Sequence, residues 1–171
     1  TRDEATARFQ RHLKLEPLGT ERVALREALR RVLAATVVST VDVPGFDRSN
    51  VDGFAVVAAD TYGAMEEAAR EIALNCEILE PGRIPAEPVS TGRATLIATG
   101  GMLPRGADAV IMVEQTEAGA DGRVACRNSV APGQNVSFAG TDIAKGETVL
   151  HAGQTLCSRE IAVLAAIGAA D

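Results

Sequence analysis

Glycine and proline interrupt this chain at short intervals, and this limits the length of any helix or strand that it can form. The sequence has 16 Gly and 7 Pro in 171 residues, many of them in turn-like pairs such as Pro132-Gly133, Lys145-Gly146 and Ala152-Gly153. Glycine supplies backbone conformations with positive φ, and proline cannot donate to a strand ladder, so such pairs end regular elements. The pattern predicts short strands joined by tight loops rather than a helical bundle.

Composition narrows the class of protein further. At 171 residues, with 46% hydrophobic and 23% charged side chains, the chain is globular and forms one ordinary domain or two small ones. No apolar run is long enough to span a bilayer, and no secretory signal pattern is present, so we expect a cytoplasmic protein without a membrane partner. A net charge of −6 and 3% aromatic residues argue against nucleic acid as a partner. The widely spaced cysteines and histidines indicate no metal site or catalytic pair, and we interpret them as structural or incidental: Cys76, Cys126, Cys157, His12 and His151.

Hydrophobic spacing predicts helices at the two ends of the chain. The first covers residues 3–15, with Phe9 and Leu13 on one face, and the second follows Thr20 with Leu25, Ala28, Leu29, Val32 and Leu33 turned inward. A final helix begins at Ser158 and ends at Gly168, with Ile161, Leu164 and Ala165 inward, and residues 64–70 could form one exposed helix. Strands are predicted at residues 36–41, 53–57, 72–79, 94–98 and 109–113, with a hairpin of 113–117 and 123–127 around Asp121-Gly122.

Three polar loops lie between these elements. Residues 47–53 carry Asp52 next to a predicted strand, and they form either a solvated turn or a ligand-binding loop. The Thr99-Gly100-Gly101 stretch is either a plain turn or a set of backbone N–H groups and a hydroxyl open to an oxyanion. Asp142 either ligates a cation or bonds to its own backbone. From the residues alone, the chain is an α+β or mainly β domain whose Asp-rich loops could bind a cation or an oxyanion.

Together, the three loops resemble one family. Residues 43–56 are similar to the VPxFDxSxxDGYAV signature of the molybdopterin molybdenumtransferases, the family of MoeA and the gephyrin E domain. Residues 98–110 are similar to its TGAxLPxGADAVV stretch, and Glu114-Gln115-Thr116 to its E-x-T. Residues 132–136 and 140–143 resemble its GxNVxxxGEDI stretch, and residues 156–168 resemble its closing helix. The resemblance covers residues 24–168.

The resemblance implies an enzyme that inserts molybdate into adenylylated molybdopterin and releases AMP. Such chemistry needs a divalent cation, here Mg²⁺, to neutralise a pyrophosphate, and donors that position an oxyanion. By resemblance, three residues are catalytic: Asp52, Thr99 and Asp142. The two carboxylates among them, Asp52 and Asp142, are also the expected Mg²⁺ ligands, and the expected substrate-binding residues are Ser49, Gly53, Gly100 and Gly101.

The resemblance also implies an architecture and partners. It predicts a mainly β, mixed α+β fold of coiled, bifurcated sheets, with residues 1–46 and 141–171 forming one discontinuous subdomain and residues 47–140 an inserted β-rich one. It implies a homodimer, in which this region of one subunit faces the pterin-binding domain of the other. A molybdopterin adenylyltransferase is a further implied partner.

The chain departs from the family pattern in three ways. Basic residues usually precede GEDI, where this chain has Ser137-Phe138-Ala139, and the Glu of that motif is Thr141. Family members also continue beyond this region into the pterin-binding domain, so we expect the 171 residues alone to be inactive. Two alternatives therefore stay open at this point. One is a non-catalytic dimerisation, scaffold or molybdenum-responsive regulatory module fused to another domain, and the other is an unrelated cation-binding β domain.

Overall fold

A computed structural model describes residues 1–13, 16 and 19–170 of the chain. It contains ten strands and two α-helices within that part of the chain. The strands are short: β1 Val37–Val38, β2 Arg48–Ser49, β3 Gly53–Val56, β4 Arg70–Leu79, β5 Arg93–Ile97, β6 Ala109–Met112, β7 Thr116–Ala118, β8 Arg123–Cys126, β9 Val136–Ser137 and β10 Thr148–Leu150. The helices are α1 Arg2–Gln10 and α2 Ser158–Ala166. The prediction of a mainly β, mixed α+β fold is confirmed.

The chain divides into two compact units, Thr1–Ala35 with Ala152–Asp171, and Thr36–His151. The second unit contains all ten strands. The subdomain boundaries implied by the resemblance, at 46/47 and 140/141, both fall inside this second unit. That finer division stays a prediction.

The second unit is built on a six-stranded sheet with the order β6-β3-β5-β4-β8-β7, in which only β4 and β5 pair in parallel. Two shorter antiparallel pairs, β1 with β10 and β2 with β9, complete it. The hairpin around Asp121-Gly122 is confirmed as β7 and β8, although residues 113–115 form a 3₁₀ turn instead of extending β7.

Strand β3 lies at the centre of the core because both of its faces are buried. Side chains alternate along a strand, so Phe54 and Val56 pack into one apolar cluster with Ile111 and Val124, whereas Ala55 packs into another. That second cluster contains Leu79, Ile97, Val110 and Val136. Every residue of β3 is buried, which fixes the position of the loop that leads into it.

The first unit differs from the prediction in its helices. α1 begins with a capping box between Thr1 and Glu4 and ends at Gln10, so Leu13 lies beyond it, and both Phe9 and Leu13 are exposed. The end of that predicted helix includes Lys14 and Leu15, which lie outside the described residues. α2 matches the prediction, with Leu164 buried and Gly168 at φ +80° beyond its end, but Ala165 is exposed.

The second predicted helix is wrong. Only a 3₁₀ turn forms, at Leu25–Glu27, and Leu29 and Val32 are exposed. Arg30 adopts a positive φ of 66°, which ends helical geometry. The backbone then pairs with residues 154–156 through the Arg30 N–H to the Leu156 carbonyl (2.7 Å) and the Leu33 N–H to the Gln154 carbonyl (2.8 Å). The exposed helix considered at residues 64–70 is also absent, since Met65 and Ala68 bond to each other in a tight turn.

The cysteines form no disulfide. Cys76, Cys126 and Cys157 are all free thiols. Cys126 is buried in the core beside β4, and burial raises the pKa of its thiol to about 11. A thiol with so high a pKa is a packing group rather than a nucleophile.

Candidate functional site

Asp52 and Thr99 lie at one end of the large sheet, where β3 begins and β5 and β6 end. Gly53 opens β3 and is paired with Ile97 near the end of β5 and with Met112 at the end of β6. Both pairings are antiparallel, so the segment before β3 lies beside the segments that follow β5 and β6. Asp52, Thr99 and Val113 therefore lie close together at the same end of the strands. The Val113 N–H donates to the Asp52 carbonyl at 3.0 Å.

Asp52 and Thr99 are joined by two hydrogen bonds at this end of the sheet. Oδ1 of Asp52 accepts hydrogen bonds from the Thr99 backbone N–H (2.7 Å) and from the Thr99 hydroxyl (2.9 Å). The backbone bond, followed by the hydroxyl bond, lowers the pKa of Asp52 below its ordinary value of 3.8. Both residues are exposed, and Oδ2 accepts no hydrogen bond from the described part of the chain. The result is an ionised carboxylate with one oxygen fixed and the other open to solvent.

The amides of the Thr99-Gly100-Gly101 turn are all used inside the protein. The Thr99 N–H donates to Asp52, the Gly100 N–H to the Ser49 carbonyl (2.8 Å), and the Gly101 N–H to the Ala98 carbonyl (2.8 Å). Of the two alternatives for this turn, the plain turn is therefore favoured over N–H groups open to an oxyanion, and the roles of Gly100 and Gly101 in substrate binding stay predictions. The Thr99 and Gly100 donors fasten the turn to the neighbouring loop, and the Gly101 donor closes the turn itself.

Ser49 lies beneath the site rather than in it. Its side chain is buried, and its hydroxyl donates to the Val51 carbonyl (2.6 Å) and accepts from the Val51 N–H (3.2 Å). Its backbone N–H donates to the Gly101 carbonyl at 3.0 Å, so the two candidate loops are bonded in both directions. Ser49 holds the loop that carries Asp52, and its role as a substrate ligand stays a prediction.

Two of the candidate glycines are required by close approach of the backbone. A Cβ added to Gly53 would lie 2.0 Å from the Ile111 carbonyl oxygen. A Cβ added to Gly101 would lie 2.8 Å from both the Leu79 carbonyl oxygen and the Ile97 side chain. No larger residue fits at either position without moving a core strand.

Asp142 makes a different set of contacts. Its N–H donates to the Val43 carbonyl (3.0 Å), and its Oδ2 lies 3.8 Å from Nη2 of Arg48. No contact recorded among the described residues joins Asp142 to Asp52 or Thr99. Within residues 1–13, 16 and 19–170, no three His, Cys, Asp or Glu side chains gather as a protein-only metal site would need. The two carboxylates therefore have distinct surroundings, one beside a threonine and one beside a guanidinium.

Sequence reasoning did not single out Arg48, Asn50 or Ser137. The β2–β9 pair places Arg48 directly opposite Ser137, and the Ser137 hydroxyl donates to Oδ1 of Asn50 at 2.6 Å. Arg48 lies in β2 and Asn50 follows its end, so strand alternation gives no signal that joins the two residues. Pairing with a segment nearly ninety residues later gave no local signal.

The family profile described as the MoeA N-terminal region (domain I and II) matches residues 1–168. The chain belongs to the MoeA N-terminal family. Two relatives, both named molybdopterin molybdenumtransferase, come from Haemophilus influenzae and Staphylococcus aureus. The first is 34% identical over 100% of this chain and 41% of its own length, and the second is 36% identical over 87% of this chain and 35% of its own length.

Solved structures agree with this membership. Two crystal structures of the molybdopterin biosynthesis MoeA protein from Pyrococcus horikoshii match with TM-scores of 0.87 and 0.79, at 35% and 42% identity. They cover 98% and 90% of this chain, and 42% and 40% of those chains. The chain thus spans less than half the length of these MoeA relatives. Within its described residues, no helix is both long and apolar enough to cross a membrane.

Proposed function

We propose that this chain is part of a molybdopterin molybdenumtransferase, which inserts molybdate into adenylylated molybdopterin and releases AMP. The observation that carries the proposal is the Asp52–Thr99 pair, an exposed carboxylate held through one oxygen at the rim of a rigid sheet. Membership of the MoeA N-terminal family supports the molybdenum cofactor pathway as its setting. Both substrates are anionic, so a carboxylate at the site suits a cation that joins the protein to them.

The donor set fits Mg²⁺ of the kind that is shared with a substrate. Magnesium in phosphate-handling sites is usually held by one or two carboxylates together with substrate oxygens, rather than by a cage made only of protein. Asp52 offers the open Oδ2, and its lowered pKa keeps it ionised at neutral pH. A bound Mg²⁺ would neutralise the pyrophosphate of adenylylated molybdopterin. Asp142, which faces Arg48, suits the role of an electrostatic partner better than that of a second ligand on the same ion.

Thr99 and Ser49 orient Asp52. Thr99 holds Oδ1 through two hydrogen bonds, and the Ser49–Gly101 and Ser49–Gly100 backbone bonds keep the two loops in register. A carboxylate that is held before the substrate arrives loses little freedom on binding it. We further propose a homodimer that acts in the cytoplasm and takes its substrate from a molybdopterin adenylyltransferase, as the resemblance implies.

Genetic complementation tests the proposal. The complete gene that contains this coding sequence, carrying Asp52→Asn, is introduced into a bacterium that lacks its own molybdenumtransferase, and molybdoenzyme activity is assayed. Asp52→Asn keeps the shape of the side chain but removes the charge, so we expect activity to fall at least a hundredfold. The matched control is Asp121→Asn, because Asp121 is an exposed aspartate whose Oδ1 accepts a bond from the Arg123 backbone N–H in the hairpin turn.

Three results would contradict the proposal. One is wild-type activity from Asp52→Asn, and another is equal loss from Asp121→Asn. The third is a wild-type gene that restores no activity although its product is folded. That outcome favours the non-catalytic scaffold or regulatory module.

A further inference from the structure

The guanidinium of Arg48 lies next to the candidate residue Asp142, and its backbone is paired with two neighbouring segments. β2, which carries it, pairs with β9 on one side, and Arg48 also forms an isolated bridge with Met102 on the other. Met102 directly follows the Thr99-Gly100-Gly101 turn. The backbone of Arg48 is therefore fixed against both the late segment that carries Asp142 and the turn that carries Thr99.

Arg48 is only loosely paired with Asp142. The distance of 3.8 Å from Nη2 to Oδ2 is longer than a hydrogen bond, and both side chains are solvent-accessible, at 37% and 59%. No hydrogen bond from this guanidinium is recorded to any described residue. A guanidinium has five N–H donors in a planar fork that suits tetrahedral oxyanions. Asp142 thus orients the charge of Arg48 without consuming its donors.

Asn50, which directly follows β2, adds a second donor through its contact with Ser137. Its Oδ1 accepts from the Ser137 hydroxyl at 2.6 Å, so its Nδ2 group points away from Ser137 as a free donor. Ser137 is the residue paired opposite Arg48, and residues opposite each other in an antiparallel pair share a face. Arg48, Asn50 and Ser137 therefore line one surface next to Asp142.

The local charge makes Arg48 distinctive. The sequence has no Lys or Arg between Arg127 and Lys145, so the segment that leads to Asp142 supplies no cation of its own. Arg48, paired opposite Ser137, brings a basic side chain to this segment from the opposite strand.

We propose that Arg48 and Asn50 bind a tetrahedral oxyanion beside Asp142, with Asp142 positioning the guanidinium. The inference rests on the proposed function for the identity of the anion, which is molybdate or the phosphate group of the adenylate. The two sources share their chemistry, a compact dianion that accepts charge-assisted hydrogen bonds.

The test is an NMR titration of the 171-residue chain at constant ionic strength, with sodium molybdate in one arm and AMP in the other. We expect millimolar or tighter binding in at least one arm, with shifts at the Arg48 and Asn50 side chains. Arg48→Gln should weaken that binding at least tenfold, and Arg48→Lys by less, because the charge stays but the planar fork is lost. The matched control is Arg105→Gln, an exposed arginine on another loop, which should bind like the wild type.

Moving the charge across the strand pair gives a sharper test. Arg48→Ser combined with Ser137→Arg puts a guanidinium on the opposite strand but on the same face, so binding should return to within a few-fold of wild type. Arg48→Ser combined with Phe138→Arg puts the same charge one residue beyond the end of β9, no longer opposite position 48, and should not restore it.

Several outcomes would overturn the inference. These are no saturable binding of either anion, unchanged binding by Arg48→Gln, equal loss in Arg105→Gln, or equal rescue from positions 137 and 138. None of these readouts uses enzymatic activity. A failed complementation assay with intact Arg48-dependent binding would reject the transferase but keep the anion site, and the reverse pattern would reject the anion site alone.

Discussion

At the scale of single residues, the candidate site depends on one carboxylate whose two oxygens have different environments. Oδ1 of Asp52 receives both hydrogen bonds from Thr99, whereas Oδ2 faces solvent. Hydrogen bonds to the charged form stabilise it, which is why the pKa of this group is low. Thr99 therefore acts on Asp52, and its expected contact with a ligand stays a prediction.

Removal of the Thr99 hydroxyl should be visible in the titration of Asp52. Thr99→Val removes the hydroxyl bond but keeps the backbone bond, so the pKa of Asp52 should rise part of the way toward 3.8, whereas Thr99→Ser should leave it low. Because the pKa is depressed in the folded state, the contact stabilises the fold above the ordinary pKa, and this stabilisation is lost as pH falls through the folded value. Carbon-13 NMR of the Asp52 carboxyl group measures this.

A control separates this effect from general damage. Thr116 also donates its hydroxyl within its own loop, to the Val113 carbonyl. Thr116→Val should leave the Asp52 titration unchanged. A Thr99→Val protein with the wild-type midpoint would contradict the assignment of the hydroxyl bond.

At the scale of elements, local sequence pattern predicted the strands of the large sheet well but failed for the helix after Thr20. β3, β4, β5 and β6 were predicted to within two residues at each end, because their apolar runs are bounded by turn residues. The helix predicted after Thr20 failed although its spacing was ideal, because residues 30–33 pair with residues 154–156. That partner lies more than a hundred residues away, so periodicity within a window cannot detect it.

The same limit applies to the site. Asp52, Thr99 and Asp142 were chosen from motif resemblance, and the local pattern correctly put each in a loop. Their partners were not predictable, since the Asp52–Thr99 bond joins residues 47 apart and the Asn50–Ser137 bond joins residues 87 apart. The bond from the Gly100 amide to the Ser49 carbonyl likewise depends on that packing.

The junction of β3 with β6 gives a prediction about stability. Gly53→Ala would put a Cβ 2.0 Å from the Ile111 carbonyl oxygen, and because β3 is buried on both faces the strands cannot separate cheaply. We expect the free energy of unfolding to fall by about 3 kcal/mol or more, measured by urea denaturation with circular dichroism.

Gly45→Ala is the matched control. Gly45 lies eight residues earlier in the same signature, its φ is not positive, and an added Cβ would meet only the Asp42 carbonyl at an ordinary 3.7 Å. This variant should unfold within about 0.5 kcal/mol of the wild type. Equal stability of the two variants would show that the β3–β6 approach is not as tight as described.

At the scale of the whole molecule, the candidate site lies within one continuous stretch of chain. The unit of residues 36–151 contains both apolar clusters and all the candidate site residues. Its two ends meet in the β1–β10 pair, where Val37 lies opposite Leu150. The unit has a core of its own, and its ends close upon themselves, as an independent domain requires.

We therefore expect residues 36–151 to fold when expressed alone. Its amide NMR spectrum should reproduce that of the 171-residue chain for β3 to β8, and its thermal unfolding should be cooperative. A matched truncation, residues 36–131, keeps the six-stranded sheet but removes β9 and β10. Because β9 pairs with β2, the amide signals of residues 47–52 should move away from their positions in the 171-residue chain. A collapsed, poorly dispersed spectrum from residues 36–151 would contradict this.

The long reach of the bonds around residues 42–50 has a consequence for synthesis on the ribosome. The Ala139 N–H that donates to Asp47 is synthesised 92 residues later, and the Lys145 N–H that donates to Asp42 is synthesised 103 residues later. The loop that carries Asp52 is therefore made well before these partners. Contacts of such separation form slowly, so this part of the protein is completed only after residue 145 has emerged. In a nascent chain that stalls before residue 136, the signature of residues 43–56 would lack β9, the strand that pairs with β2.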